Sequence, residues 1–395
     1  MTRGLLPSVG ARVLLLSLAT ACGSASDGGS GAGSGGALAG GESSGGESSG
    51  GQPSGGESSS GGSSTSPRGG AGSSAGAPVS AGSANGGAPS TAGNSGAAMA
   101  GADSGGSGPL PADLVWAKQG PNQVIQQIWG SGAGDIYAVG LNGVLLHSTG
   151  DGKWTTQTSG TSSNLTGVWG SGSRDVYVSV DSNFILHSVG DGVWEHQAYS
   201  SGFTFRGIWG LDASDVFALG SGVARHLDAG GWQTPPEQVA SAPTLAFWAS
   251  SASDLYAATG LANSSTIYHS NGDGTWRAQT TPAATAAAAI VGVDATHLYA
   301  GADNFVFGSS GNGTWTVQLT TPTAEKVLAL WAANPGALFA CTQTGFIYAS
   351  NGRGKWSAGQ DIDTASKTIC MTIWGTGPDD IYVGGSGGIY HGTLN

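Results

Sequence analysis

Residues 128–154, IWGSGAGDIYAVGLNGVLLHSTGDGKW, return as residues 168–194, VWGSGSRDVYVSVDSNFILHSVGDGVW, with nearly the same punctuation. Looser copies are anchored at Trp209, Trp248, Val291, Trp331 and Trp374. A repeat of about 40 residues constrains this chain more than any other feature. A unit that short buries no core alone and must stack on its neighbours. Each copy holds four short runs of alternating apolar and polar residues, rich in β-branched and aromatic types. In the first copy these end at Ile128-Trp129-Gly130, then cover 135–139, 143–147 and 154–157, with Gly, Asn and Asp at the turns. Four strands per unit at this period predict propeller blades, and an all-β fold.

The recurring side chains fit that expectation. Of the 13 tryptophans, Trp129, Trp169, Trp209, Trp248, Trp331 and Trp374 end a first strand. Trp116, Trp154, Trp194, Trp232, Trp276, Trp315 and Trp356 begin a fourth. A large aromatic in one register per unit suits the seam between twisted sheets better than a sugar-stacking platform. An Asp follows the anchor by six residues at Asp135, Asp175, Asp215, Asp254 and Asp380, with His297 and Ala337 in the two most degenerate units. It reads as a turn cap, because Asp readily bonds turn amides. His147, His187, His226, His269 and His391 recur in third strands, with Gly308 and Ala349 elsewhere. Zinc needs ligands within about 2 Å of one ion. One histidine per blade spaces them around a ring, so each is expected to bond within its own blade, and no metal or cofactor is expected.

The ends of the repeat region predict how it closes. The last unit supplies 373–375, 380–383 and 388–391 and lacks a fourth strand. Leu114-Val115-Trp116-Ala117-Lys118-Gln119 carries the Trp-x-x-Gln pattern seen at Trp154, Trp194, Trp276 and Trp315. An N-terminal outer strand completing the final blade would leave no broken blade at the seam, giving a seven-bladed ring.

Residues 1–21 read as a targeting segment. Arg3 and Arg12 precede the apolar run 13–18, which is too short to span a bilayer as a mature helix. Residues 22–110 are Gly-, Ser- and Ala-rich, with too little apolar mass to offset ordering entropy, and read as a disordered tether. Such a chain has an end-to-end distance of roughly 50 Å. Residues 111–395 form the folded domain. The net charge of −12, with few lysines, argues against nucleic acid and anionic membrane surfaces as partners.

Three resemblances add to this. Ala19-Thr20-Ala21-Cys22 resembles a bacterial lipobox, with Ala19 where Leu is usual. It implies a lipoprotein signal peptide over 1–21 and Cys22 as the lipidated N-terminus. Gly23 supplies no inner-membrane retention signal, which implies an outer-membrane lipoprotein, periplasmic or at the cell surface. The turn 148–154, STGDGKW, resembles the Asp-box of sialidases, sortilin-like receptors and photosystem assembly factors, one residue shorter. That motif implies fold rather than activity. The whole of 111–395 resembles the propeller-repeat lipoproteins of myxobacteria-like Gram-negatives, whose units read WGSGxxDVYAVG…LHSxGDGxW. A sialidase-like activity would require three converging arginines and a Tyr/Glu pair. Arg174, Arg206, Arg225, Arg277 and Arg353 belong to different faces and strands, and Glu195, Glu237 and Glu325 have no suitable Tyr in register. A binding or scaffolding module without catalysis is therefore expected, with a carbohydrate-active surface protein as the alternative and an assembly factor as a third possibility.

The partner is expected to be an envelope protein or surface glycan, and the chain a monomer. Loops between second and third strands, and between fourth and next first strands, emerge on one side and vary most, which suits function on a rigid scaffold. Asp181, Asn183, Tyr199, Phe203, Arg206, Asp303 and Asn304 are the candidate binding residues there. Once Cys22 is lipidated, Cys341 and Cys370 remain as an even pair in an oxidising compartment. They lie at strand ends on the same face of neighbouring blades and are candidates for a disulfide.

Overall fold

The computed structural model describes residues 114–198, 204–220, 225–228, 231–233, 239, 243–261, 264–282, 287–365 and 367–394, without the side chains of 198, 225, 226, 228, 261, 264 and 265. The signal segment, Cys22, the tether, Tyr199 and Phe203 lie outside the described residues.

The described strands form seven four-stranded antiparallel sheets. Sheet 1 runs Ile125–Gly132, Asp135–Gly140, Leu145–Ser148 and Thr155–Thr156. The innermost strands of sheets 2 to 7 are Leu165–Gly172, Phe205–Asp212, Thr244–Ser251, Ala287–Asp294, Val327–Asn334 and Cys370–Gly377. Each packs against the next, and the last returns to Ile125–Gly132. The fold is a β-propeller. Sheet 7 takes its outermost strand from the start of the domain. Val115–Gln119 lies antiparallel on Gly388–Thr393, with Trp116 opposite Gly392.

Two details differ from the sequence expectation. The anchor tryptophans do not end their strands, which continue through Gly132, Gly172 and their equivalents. Some fourth strands are shorter than their Trp-x-x-Gln text, while Glu195–Ala198, Thr316–Thr320 and Val115–Gln119 include its Gln. In sheet 1 only Thr155–Thr156 pairs, and in sheet 6 the outermost strand is Gln360–Asp361, beyond Trp356. An outer edge has one neighbour only, so side chains rather than a long ladder hold it.

At the inner strands, the seam between sheets is made by the anchor tryptophans and their seats. The ring of Trp129 occupies the space a Cβ on Gly170 would need, and Trp169 does the same at Gly210, Trp248 at Gly292 and Trp331 at Gly375. These four anchors therefore pack on the glycine beside the next sheet's anchor. Alanine takes the glycine's place twice, as Ala249 after Trp209 and as Ala332 after Val291. All six anchor rings are essentially buried. At about 25 cal/mol per Å² over roughly 150–250 Å², each contributes on the order of 4 kcal/mol as an upper estimate. The indole N–H of Trp169, Trp209, Trp248, Trp331 and Trp374 has no hydrogen-bond partner. Leaving it so costs about 1–3 kcal/mol, less than the ring contributes.

The outer tryptophans form a second girdle. Trp194 Nε1 donates to Gln157 Oε1 at 2.8 Å, Trp232 to Gln197 at 2.5 Å, Trp154 to Gln119 at 3.4 Å and Trp116 to Gln360 at 3.1 Å. Gln119, Gln157 and Gln197 of the Trp-x-x-Gln runs thus hold the tryptophan of the next sheet, whereas Trp315 and Trp356, which follow Gln279 and Gln318, have no partner for their indole N–H. Gln360 and Gln119 carry the girdle across the join between the chain's two ends.

Candidate binding face and the Asp–His networks

Antiparallel alternation puts second-to-third turns and fourth-to-first loops at one end of the ring. First-to-second and third-to-fourth turns lie at the other. The two ends are built differently.

At the second end, the recurring Asp is not a turn cap, which corrects the sequence expectation. His147 Nε2 donates to Asp135 Oδ1 at 2.8 Å, and Ser131 Oγ donates to Oδ2 at 2.5 Å. The same trio recurs as Ser171, Asp175 and His187, as Ser250, Asp254 and His269, and as Thr376, Asp380 and His391. The side chain of His226 lies outside the described residues. Turn amides are capped by other residues. Asp212 accepts from Ser214 N, Asp294 from Thr296 N and Asn334 from Gly336 N, while Asp151 and Asp191 cap the third-to-fourth turns.

The trio follows from a register shift. Each first strand carries a bulge near its end, as between Gly130 and Gly132, which turns Ser131 back toward the second strand. Tyr137 lies tilted beside His147 with centroids 4.5 Å apart, and Trp194 of sheet 2 closes over Tyr137 edge-on at 5.9 Å. Burial opposes ionisation of Asp135 and Asp175, but hydrogen bonds from histidine and serine outweigh it and hold both carboxyls below their ordinary range. The His391 hydrogen bond does the same for Asp380. Burial and the neighbouring carboxylate push Tyr137 and Tyr382 up to about 12.

Ser, Asp and His meet here in an order that does not activate a nucleophile. In hydrolytic triads the imidazole touches the hydroxyl and takes its proton. Here the carboxylate stands between them and receives both bonds. The histidines serve four separate networks, as the sequence expectation had them doing, and no group of three metal-ligating side chains occurs among the described residues.

The first end carries a bulge in every sheet. Ile125 faces Gly140 while Gln127 faces Val139, leaving Gln126 out of the ladder. Equivalent shifts leave out Thr166, Arg206, Leu245, Ala288, Leu328 and Met371. These seven residues are half-buried between fully or partly buried neighbours, at one level around the mouth of the ring. Sheets 1 to 3 supply the polar Gln126, Thr166 and Arg206. Sheets 4 to 7 supply the apolar Leu245, Ala288, Leu328 and Met371.

Arg206 is thus one of the candidate residues that the structure places on this rim, and the only Arg or Lys on any innermost strand. Arg174 and Arg353 lie in turns at the opposite end, and Arg277 is on an outer strand paired with Asp273 at 2.8 Å. Convergence of three arginines does not occur among the described residues. The other candidates are spread out. Asp181 and Asn183 flank a turn of sheet 2 whose Ser182 carbonyl accepts from Phe205 N at 3.3 Å. Asp303 and Asn304 form the equivalent turn of sheet 5, with sheet 4 lying between this pair and Arg206. Asp303, at φ 43°, accepts from Val327 N at 2.7 Å, and its carboxylate lies 3.5 Å from Lys326 Nζ. Both turns therefore tie one sheet to the next strand's start, a structural role that their sequence did not reveal. The apolar half of the rim went unnamed in the sequence reading, because Leu245 and Leu328 look like ordinary strand residues until the bulge is seen.

Cys341, in Ala337–Thr342, and Cys370, at the start of Cys370–Gly377, are joined as a disulfide with Cα atoms 5.9 Å apart. It links sheets 6 and 7 at the rim end.

No family model matches the chain, and no curated protein matches it by sequence. Among solved structures it is similar to YCF48 bound to D1 peptide, with a TM-score of 0.61 and 15% identity over 73% of this chain and 100% of that one. It is similar to the WD40 β-propeller domain of Doa1, with a TM-score of 0.56 and 13% identity over 72% and 95%. Virginiamycin B lyase from Staphylococcus aureus also matches, with a TM-score of 0.61 and 14% identity over 71% and 99%. At such identities the likeness is one of fold. The chain folds as these proteins do, as a β-propeller, an architecture that carries binding in one neighbour and lyase chemistry in another.

Proposed function

We propose that the chain is a lipid-anchored module of the cell envelope that binds or scaffolds a protein partner. In this reading, 1–21 is a signal peptide, Cys22 is lipidated, 22–110 is a tether, and 111–395 is a monomeric seven-bladed propeller held off the outer membrane. The observation that carries the binding role is the rim. Seven bulges repeat the same backbone, while the side chains they present differ from sheet to sheet. Backbone bonds such as Phe205 N to Ser182 O and Val327 N to Asp303 O brace it, so little ordering would be needed on binding. A peptide with an acidic group followed by apolar side chains would match Arg206, then Leu245 in the next sheet and Leu328 farther round the rim. YCF48, a propeller bound to a peptide, supports a protein partner of this kind.

The test is capture from solubilised envelope with the full lipidated chain as bait. Leu328→Lys with Met371→Lys should release the partner, whereas Val189→Lys, at the opposite end of the ring, should retain it. Retention of every partner by the rim variant would overturn the reading. Cys22→Ser should move the protein from the membrane fraction to the soluble one.

A further inference from the structure

Sheet 5 breaks the pattern of the others at one place. His297 stands where four sheets have the network's Asp, and Gly308 stands where they have its His. Sheet 6 also lacks both, but fills the space with Ala337, Phe339 and Ala349, all buried. Sheet 5 does not fill it. Tyr299 remains, its partner imidazole is gone, and an open surface depression of about 300 Å³ lies beside it toward the third-to-fourth turn of sheet 6. Gln318 bends into part of the gap. Its Cγ comes within 2.8 Å of where a Gly308 Cβ would lie, and its Nε2 donates to Thr316 Oγ1 at 2.9 Å. Trp356 Nε1, which by the girdle's pattern would meet this glutamine, is left without a partner.

The walls are neutral and rich in hydrogen-bonding groups. Hydroxyls come from Thr296, Ser309 and Thr316 and amides from Asn312 and Gln318, with the buried Tyr299 beneath. No lysine, arginine, aspartate or glutamate lines the space, so ions of neither sign are matched. His297 is held by Asp294 through Nδ1 at 2.9 Å, which fixes the ring and leaves Nε2 without a hydrogen-bond partner among the described residues. The volume is at the small end of ligand sites, roughly 300–1,000 Å³. We propose that this defect in sheet 5 is a binding site for one neutral sugar ring, with the largely buried Tyr299 at its floor and His297, Asn312 and Gln318 as its polar contacts. The site lies at the end of the ring opposite the rim and does not depend on the protein-binding role.

The test is saturation-transfer NMR and calorimetry on the full chain with glucose, galactose, mannose and N-acetylglucosamine. At least one should bind saturably with a millimolar Kd. His297→Asp with Gly308→His restores the Asp–His pair of the other sheets, without their hydroxyl because Val293 stands there, and fills the depression. It should weaken binding at least about tenfold without lowering Tm. If that variant does melt lower, Thr316→Val with Gln318→Leu removes polar contacts at similar volume and should weaken binding likewise. Absence of saturable binding by all four sugars, or undiminished binding by the filled variant, would overturn the proposal.

Discussion

A Cβ on Gly130 would stand 2.7 Å from the ring of Trp374, so the glycine in the first sheet's innermost strand is the seat of the last anchor tryptophan. The two residues are 244 positions apart, yet they make the contact that Trp129 and Gly170 make between adjacent sheets. Gly130→Ala should therefore be destabilising by about 1–3 kcal/mol, the usual scale for overpacking a tight core. Gly132→Ala is the control, since nothing lies within 4 Å of its Cβ position, and its shift should stay within about 0.5 kcal/mol. Urea midpoints of the two variants check this.

The outer join makes a separate prediction. Removing 1–121 deletes the strand Val115–Gln119 and both of its girdle residues, Trp116 and Gln119. It should lower Tm sharply and promote aggregation, because Gly388–Thr393 is left as an unpaired edge. Removing 1–110 should leave Tm unchanged. Trp116→Ala alone should cost about 2–3 kcal/mol, at or below the range for a fully buried tryptophan because this ring is only half-buried.

The Asp–His networks predict how stability varies with pH. The carboxyls of Asp135, Asp175 and Asp380 ionise more readily in the fold than in the unfolded chain. Their contribution is therefore complete above the ordinary carboxyl pKa of 3.8 and is lost as pH falls through the depressed folded values. Tyr137 and Tyr382 act at the other limit. Raised to about 12, they contribute fully below pH 10 and lose that contribution between 10 and 12. Asp135→Asn should flatten the acid limb measured by urea titration and lower the neutral plateau by about 1–3 kcal/mol.

Reduction should loosen sheets 6 and 7. The Cys341–Cys370 link closes 29 residues, and loop entropy sets its contribution at about 3–4 kcal/mol. Thiol titration of the exported, unfolded and unreduced chain should find no free thiol at these positions. Two free thiols would contradict the link.

The repeat made the architecture legible because strands, turns and seam tryptophans all return in one register. Closure was legible too, since Trp116 and Gln119 share the text of other fourth strands. The partners of those residues were not. Nothing in Trp-x-x-Gln says that Gln157 holds Trp194 rather than its own sheet, because that contact depends on how sheets stack. Asp135 was misread for a related reason. An Asp beside a turn usually bonds turn amides, and only the bulge at Ser131 shows that it faces His147 instead. The rim was half-legible. Arg206 stands out by its charge, whereas Leu245, Leu328 and Met371 became visible only when the bulge set them outside the ladder.

The binding role of the rim is tested most directly by placing a photo-crosslinking residue at Leu328 and, separately, at Val189, then irradiating intact envelopes. A rim-binding module predicts a discrete protein adduct from position 328 and none from position 189. Adducts from position 189 alone, or from neither position, would contradict it.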